Sequence, residues 1–430
     1  MQKQKYLFTV LFLALGLTLH AQTGTETPYS RYGIGELLNS GFARQSAMGG
    51  LGAAFQSSSA VNFSNPASYS SIRISTFETA LRGELAQTST SDLKQTKKGI
   101  LLNYLSLGFP VMKDNWGASF GLIPVSPTGY NLKESGQVIN PNDTITTDFT
   151  KYYEGNGGLS RFYIGNGFAP YSKTLDKYYA SQHYKDLKEK GDTVTISKEV
   201  RWRKIVKGFS AGFNASYLFG SLNNVRRVKF SNSAFINTKV TESTAYADFY
   251  FDYGIQYRYD FSEDNKLIIG ISGAGGTNIK GRRDVLWTLV SSSDFEANID
   301  TVSLSENEKG KAFIPSFINA GFMFQQGEKW LMGAEYATQQ WSRYKAFNSN
   351  QKLKDSWRVS AGAQYMPTNK LAYRAGIKVE QSYINLNNSR VNDYSISLGV
   401  GVPVRLTSTE RRLFDNRTML HFSIEGGQLG

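Results

Sequence analysis

Few side chains in this chain of 430 residues could support catalysis or metal binding. It has three histidines, His20, His183 and His421, and no cysteine. A Ser-His-acid triad needs a histidine base, and structural metal sites need clustered cysteine or histidine. No serine motif accompanies His183 or His421, and a solvent-facing position is the simpler interpretation of both. We therefore expect no enzymatic activity, no metal and no cofactor.

Basic side chains offer a different chemistry, the binding of anions. Arg358, Arg374 and Lys378 lie in segments where apolar and polar residues alternate, and all three fall on the polar side. Arginine and lysine can hold a carboxylate through charge-assisted hydrogen bonds. Because buried charges are normally paired, balance by Asp248, Asp252 and Glu380 across the lumen is the alternative.

The segments that would position these side chains alternate with a period of two. In residues 245–259 the odd positions are apolar or aromatic and most even positions are polar. Successive side chains of a strand point to opposite faces, so this segment has one apolar and one polar wall. Soluble strands usually have about 5 or 6 residues, whereas about 9–11 cross the apolar band of a membrane. The pattern favours a tilted transmembrane strand over a strand of a soluble sandwich.

The same alternation recurs along most of the chain and predicts an all-β, antiparallel transmembrane barrel spanning residues 71–430. The candidate strands are 71–89, 99–111, 116–126, 159–169, 206–220, 241–260, 265–279, 312–326, 329–344, 355–366, 370–385, 391–405 and 417–427. Bacterial barrels have an even number of strands, so these thirteen indicate about 14, with the last missing or miscounted.

The start of the chain predicts export. Lys3 and Lys5 precede an apolar run that ends in Leu19-His20-Ala21. This order is typical of a secretory signal peptide, residues 1–21, cleaved near Ala21. A retained anchor helix is the weaker alternative, since a spanning helix needs about 20 apolar residues. We expect the mature chain to lie in the outer membrane.

The chain is basic, with a net charge of +13 at pH 7. An exported protein rarely meets nucleic acid, so we expect no nucleic-acid partner. Basic clusters at strand ends suit anionic head groups better, and a merely solvated run of charges is the simplest interpretation of them. Outer-membrane lipid and lipopolysaccharide are the expected surroundings.

Residues 22–70 lack strict alternation and are rich in glycine and serine. We predict a hatch inside the lumen, with short helices near Glu36 and Phe55 and a turn at residues 65–68. Irregular backbone at membrane depth needs such protection from lipid.

The predicted connections alternate in length. Residues 127–158, 221–240 and 281–311 are predicted as long polar loops, and long loops mark the outer face of such barrels. Residues 171–205 fall on the opposite side and contain a charged, helical stretch near 175–190. They indicate a periplasmic insertion, with an overlooked strand pair as the alternative.

Two short motifs carry a family resemblance. Ala47-Met48-Gly49-Gly50-Leu51-Gly52-Ala53-Ala54 and Asn65-Pro66-Ala67, followed by about fourteen strands, resemble the FadL-type outer-membrane transporters of long-chain fatty acids and other hydrophobic compounds. The resemblance extends over residues 28–430 as architecture. It implies that the hatch includes Met48, Gly49, Gly50, Asn65, Pro66 and Ala67.

The resemblance also implies lateral release through the barrel wall at the third strand. Gly117 and Gly121 remove side chains there, and Pro124 removes a ladder donor, so pairing should weaken. We predict a lateral gate at these residues. The alternative is that Pro124 simply ends the strand.

Passive uptake of long-chain fatty acids or similar hydrophobic small molecules is the function that the resemblance implies. The alternative is a FadL-like barrel that acts as an accessory or docking subunit of an outer-membrane secretion machine. Uptake predicts an apolar cavity that reaches an opening in the wall. A docking role predicts a polar, filled lumen.

Overall fold

The computed structural model describes residues 27–38, 41–89, 94–139, 146–291, 296–347, 351–367, 371–386, 389–403 and 419–430. The predicted signal peptide and its cleavage near Ala21 lie outside these residues.

The described chain is dominated by one antiparallel sheet. Its strands are β1 Thr76–Ser89, β2 Lys94–Met112, β3 Trp116–Ile139, β4 Thr146–Phe168, β5 Phe209–Phe230, β6 Asn237–Asp260, β7 Asn265–Ala274, β8 Thr277–Val290, β9 Asn298–Ile314, β10 Phe317–Gln326, β11 Trp330–Gln339, β12 Lys345–Ala346, β13 Ser356–Tyr365, β14 Ala372–Leu386, β15 Ser389–Pro403 and β16 Met419–Leu429. Sequential neighbours pair along nearly the whole sheet.

Sixteen strands make thirteen positions in the wall. β6 pairs with β7 near its end and with β8 near its start, so β7 and β8 occupy one position. β9 and β10 do the same, because β8 pairs with β9 and β7 pairs with β10. β12 is a two-residue strand on β9. The thirteen positions coincide with the thirteen predicted strands.

The wall has an apolar outer face and a polar inner face. On β6, Phe249, Phe251 and Tyr253 are 61%, 45% and 56% exposed, whereas Tyr250 and Asp252 between them are buried. Many other large apolar side chains are exposed in the same way on neighbouring strands. An apolar face of this extent suits lipid rather than water. The predicted transmembrane barrel is confirmed.

The predicted long loops are wrong. Residues 127–139 continue β3 and residues 146–158 begin β4, paired from Ile139↔Thr146 down to Trp116↔Phe168. The regions 221–240 and 281–311 likewise lengthen β5, β6, β8 and β9. A strand of 24 residues, tilted by about 45°, rises by about 55 Å, which is roughly twice the apolar band of about 25 Å.

Residues 27–38 and 41–75, which we call the inner segment, contain η1 Pro28–Arg31, α1 Ala43–Ser46 and η2 Pro66–Ser71. The predicted helices near Glu36 and Phe55 are wrong, since neither residue is helical. Phe42 stacks on Tyr104 of β2 with ring centroids 3.8 Å apart. Arg44 donates from Nε to His421 Nε2 of β16 over 3.0 Å. One turn of chain thus contacts the second strand from one end of the sheet and the last strand at the other end, so the sheet curves around it.

The chain between β4 and β5 is helical, with α2 Thr174–Tyr179, α3 Gln182–Glu189 and α4 Thr193–Lys207; η3 is Trp341–Arg343. The helical character predicted there is confirmed, and it extends to residue 207. Within the described ranges, no helix is both long and apolar enough to cross a membrane.

The two ends of the sheet are not joined by hydrogen bonds among the described residues. β1 pairs only with β2, and β16 pairs only with β15. Thirteen antiparallel positions make β1 and β16 run in the same direction. We call the space between them the seam.

Candidate ligand site

The inner segment is fastened to the wall by polar contacts. Gly52 and Ala53 both donate their backbone N–H to Glu335 Oε2 of β11 over 2.7 Å. Gly49 donates its N–H to Ser397 Oγ of β15 over 3.0 Å. Buried backbone groups need partners, and the wall supplies them here.

The predicted Asn-Pro-Ala motif is a cap rather than a simple turn. Asn65 Oδ1 accepts from the Ala67 N–H over 3.1 Å and starts η2, with Pro66 in its first turn. Asn65 Nδ2 donates to the Ala53 carbonyl over 2.6 Å. The side chain faces Gly254 of β6, where an added Cβ would collide with its amide. The motif therefore joins two parts of the inner segment against the wall.

The predicted hatch residues Met48, Gly49 and Gly50 lie together at the end of α1. Met48 is fully buried, and its backbone approaches Gly362 and Gly376 of β13 and β14. Gly49 and Gly50 have φ values of +71° and +84°. Glycine adopts this left-handed region at little cost, which explains the Gly-Gly pair.

Two of the three predicted anion ligands are paired with acids. Arg358 Nη2 lies 3.1 Å from Glu335 Oε1. Lys378 Nζ lies 2.8 Å from Asp393 Oδ2 and 2.9 Å from Glu425 Oε1. Their charges are thus balanced within the wall, by acids other than those suggested from the sequence.

Asp252, one of those suggested acids, is also engaged. Its Oδ2 lies 3.4 Å from Arg161 Nη1, and its Oδ1 accepts from Asn214 Nδ2 over 2.6 Å. The Arg161 guanidinium also lies 4.0 Å from the centroid of the Phe63 ring in the inner segment. Sequence reasoning missed Arg161 because its partners come from three distant segments.

Arg374, the third predicted ligand, belongs to a different cluster. Its Nε donates to Gln364 Oε1 over 2.8 Å, and its Nη1 lies 3.2 Å from His421 Nδ1. Arg44 contacts the other ring nitrogen of His421. The predicted solvent-facing position is therefore wrong for His421, which stands between two arginines on the inner face. His183 is exposed, as predicted, and contacts Glu199.

A cavity with a volume of about 1370 Å³ lies at the seam. β1 and β16 form its two sides, and its lining includes Arg44, Lys378 and His421 together with the acids Glu78 and Glu425. Leu81 and Ile424 on the two edge strands point outward and are 76% and 71% exposed. The cavity thus connects a charged interior with an apolar rim.

The predicted gate residues on β3 lie in two different environments. Gly117 and Gly121 are paired with β2 on one side and β4 on the other. The ladder between β2 and β3 ends at Leu122, so Pro124 is paired with β4 alone. A Cβ at Gly117 would collide with the backbone of Tyr69, so the absence of a side chain here allows the inner segment to pack closely against β3.

A comparison with protein-family models matches residues 1–175 and 200–430 to the model described as BamG. The chain belongs to the BamG family. Residues 176–199, between the two matched parts, lie within α2–α4. The family model therefore leaves out most, but not all, of the helical insertion.

Comparison with solved structures supports the fold. A FadL homologue from Pseudomonas aeruginosa has a TM-score of 0.52 at 11% identity, covering 93% of this chain and 91% of that chain. The similarity to the Ralstonia pickettii toluene transporter TbuX is weaker, with a TM-score of 0.45 at 11% identity over 90% of this chain and 97% of that chain. A comparison with curated proteins finds no match. The predicted FadL-type fold is confirmed, and identity this low shows the fold alone.

The helical insertion holds its own polar cluster. His183 Nε2 lies 3.2 Å from Glu199 Oε1, and Arg203 pairs with the same carboxylate over 3.1 Å. The hydrogen bond to His183 lowers the pKa of Glu199 below its ordinary value of 4.5. The Arg203 guanidinium also lies 3.9 Å from the Tyr178 ring centroid. These contacts join α2, α3 and α4 into one unit.

Proposed function

We propose that this protein is a non-enzymatic outer-membrane barrel that takes up a long-chain fatty acid or a similar hydrophobic small molecule and releases it sideways through its wall. The observation that carries the proposal is the seam cavity, which reaches from the lumen to the lipid-facing edges of β1 and β16. Transfer of apolar surface from water gains about 25 cal/mol per Å². A hydrophobic compound that enters this cavity therefore has a favourable path into lipid.

A sideways route is also supported by the contacts that hold the inner segment inside the lumen. The inner segment is held by Glu335, Ser397 and Gln256, from three widely separated strands. A straight path through the centre would have to break these contacts. A path along the seam leaves them intact.

Uptake of labelled oleate into vesicles tests the proposal. Ala80→Trp places a large side chain in the seam cavity, which Ala80 lines. Ala211→Trp is the matched control, because Ala211 is exposed on the outer face of β5. We expect uptake above that of protein-free vesicles for the natural chain and the control, and a strong loss for Ala80→Trp. Equal rates with and without the protein would refute transport.

The second candidate, a docking subunit of an outer-membrane secretion machine, is favoured by a different observation. The inner face is polar and largely filled, and β3 to β6 continue far above the apolar belt. Extended walls of this kind can serve as a contact surface for a partner. Photo-crosslinking from Lys133 and Glu134 in native membranes tests it, with Lys173 at the opposite end of the barrel as control. One discrete adduct from the upper wall, together with no oleate uptake, would favour docking.

A further inference from the structure

The outer face of β8 and β9 carries basic side chains in direct register. Lys280 is paired with Lys311, and Arg282 is paired with Lys309. All four are exposed, whereas Ile279 beside them is fully buried on the inner face. Residues directly opposite in an antiparallel pair have Cβ atoms about 4.5–5.5 Å apart, and like charges there are destabilising. Two successive like-charge pairs on one face attract a compensating anion.

Two further cations flank these pairs. Lys345 of β12 is paired with Phe313 of β9, two positions from Lys311. The Arg343 guanidinium lies 5.3 Å from the centroid of the Phe313 ring. A pocket of about 660 Å³ lies among these side chains, and Lys309 also lines it. We call the six exposed cations the outer basic patch: Lys280, Arg282, Lys309, Lys311, Arg343 and Lys345.

The acids near the outer basic patch do not neutralise it. Glu308 also lines the pocket, but both its carboxylate oxygens accept hydrogen bonds from Arg283. Asp284 and Asp355 each accept a backbone N–H, and Glu306 is exposed. None of the six cations belongs to an ion pair within the described ranges, where the pairs of this region are those of Arg283. Six cations against three remaining acids leave an excess of three positive charges.

The outer basic patch lies at the upper edge of the apolar belt. The Lys280 N–H donates to Asp248 Oδ2 over 3.1 Å, and Phe249, the next residue of β6, is 61% exposed on the outer face. Ile318, five positions after Phe313, is 56% exposed on β10. The longer extensions of bacterial barrels face the cell exterior, and β8 and β9 belong to these extensions. The cations are therefore level with the head groups of the outer leaflet.

The spacing of the cations suits more than one phosphate group. The two paired rows lie two residues apart along each strand, which is about 7 Å. Lysine and arginine hold phosphate through charge-assisted hydrogen bonds, and basic pockets beside transmembrane elements bind lipid head groups. A head group with two phosphates can occupy both rows while its acyl chains lie on the apolar belt below.

We propose that the outer basic patch binds the phosphate groups of a lipid A-type glycolipid of the outer leaflet. Lys280 and Lys311 form the lower row, Arg282 and Lys309 form the upper row, and two flanking cations close the site on one side. The inference is independent of the proposed uptake, since the patch lies on the outside of the wall and far from β1 and β16 in the strand order.

Direct binding to the full-length, delipidated protein in detergent tests the site. The probes are bisphosphorylated lipid A, its monophosphorylated form, zwitterionic phosphatidylethanolamine, and inorganic phosphate as a competitor. We expect bisphosphorylated lipid A to bind at least about tenfold more tightly than the other two lipids, and inorganic phosphate to compete only weakly. Equal affinity for the three lipids would overturn the proposal. Inorganic phosphate that competes as well as lipid A would reject a lipid ligand.

A double variant separates the site from the fold. Lys280→Gln with Lys311→Gln should weaken binding of lipid A by at least about tenfold. Lys185→Gln with Lys188→Gln is the matched control, because it removes the same charge from exposed positions of α3. The lipid-free double variant should melt no lower than the natural chain, since it removes a like-charge pair. Lipid A should raise the Tm of the natural chain and of the control, but not that of the variant.

A folded double variant with natural affinity would overturn the site. Photo-crosslinking from position 309 in native membranes distinguishes a lipid from a protein ligand. We expect an adduct with a phosphorylated glycolipid there, and a discrete protein adduct in its place would overturn the proposal.

Discussion

Glu335→Gln should loosen the inner segment while leaving the barrel folded. Glu335 is buried, accepts both N–H groups of Gly52 and Ala53 through Oε2, and pairs with Arg358 through Oε1. A glutamine keeps the shape but has only one oxygen. If that oxygen faces the inner segment, the amide NH₂ faces Arg358 as a second donor, and the opposite orientation leaves two backbone N–H groups unpaired.

The size of the effect follows from the bonds that are lost. Hydrogen bonds to charged groups contribute about 1.5–3 kcal/mol each, and breaking a buried pair costs about 3–5 kcal/mol. The substitution retains part of these contacts, so we expect a loss of about 3 kcal/mol in the free energy of opening the inner segment. Because about 1.4 kcal/mol corresponds to a factor of ten, the open population should rise about 100-fold.

Amide hydrogen exchange of the protein in detergent measures this opening. We expect the amides of Gly52 and Ala53 to exchange about 100-fold faster, while those of β5 and β6 stay protected. Glu425→Gln is the matched control, because Glu425 bonds to Lys378 and Ser395 of the wall. Unchanged exchange at Gly52 and Ala53 in Glu335→Gln would refute the view that this carboxylate anchors the inner segment.

Three further changes test other contacts. Asn65→Ala should destabilise the inner segment by about 1–2 kcal/mol, because it removes a helix cap and the bond to Ala53, and exchange of the Ala67 amide should show it. Glu199 has a lowered pKa, so its contribution to the stability of α4 should be present above pH 4.5 and lost as the pH falls further. The rate of limited proteolysis of the insertion should rise as the pH falls below 4.5 in the natural chain. In Glu199→Gln this pH dependence should be absent. Replacing residues 176–199, which the family model leaves out, by a short glycine-serine linker should preserve the barrel, and loss of its heat-modifiable migration in gels would contradict this.

The sequence predicted the wall wherever lipid imposes a pattern. Phe249, Phe251 and Tyr253 must face hydrocarbon and Asp252 must not, so a period of two is visible in the residues themselves. Above the apolar belt both faces of a strand meet water. Leu132-Lys133-Glu134-Ser135 therefore has no such pattern, so the sequence predicts a loop where the structure continues β3.

For the charged residues, too, the sequence predicts one property and not another. Alternation placed Arg358, Arg374 and Lys378 on the polar face, but their partners depend on the register and on the inner segment. Arg44 and His421 are separated by 377 positions, and only the curvature of the sheet brings them together. A signal was present nonetheless, because His421 lies between the outward-facing Leu420 and Phe422 and must point inward.

The release path that we propose along the seam favours an amphiphile over a purely apolar compound. Unpaired backbone groups at a strand edge cost several kcal/mol each in hydrocarbon, so the edges of β1 and β16 need hydrogen-bonding partners. Direct closure would require parallel pairing in a sheet that is antiparallel throughout its described pairs. A hydrated head group can form hydrogen bonds with these edges and contact Arg44, while an apolar tail covers the strongly exposed Leu81 and Ile424. A purely apolar molecule would cover the apolar rim but would leave the backbone groups of the two strand edges unpaired.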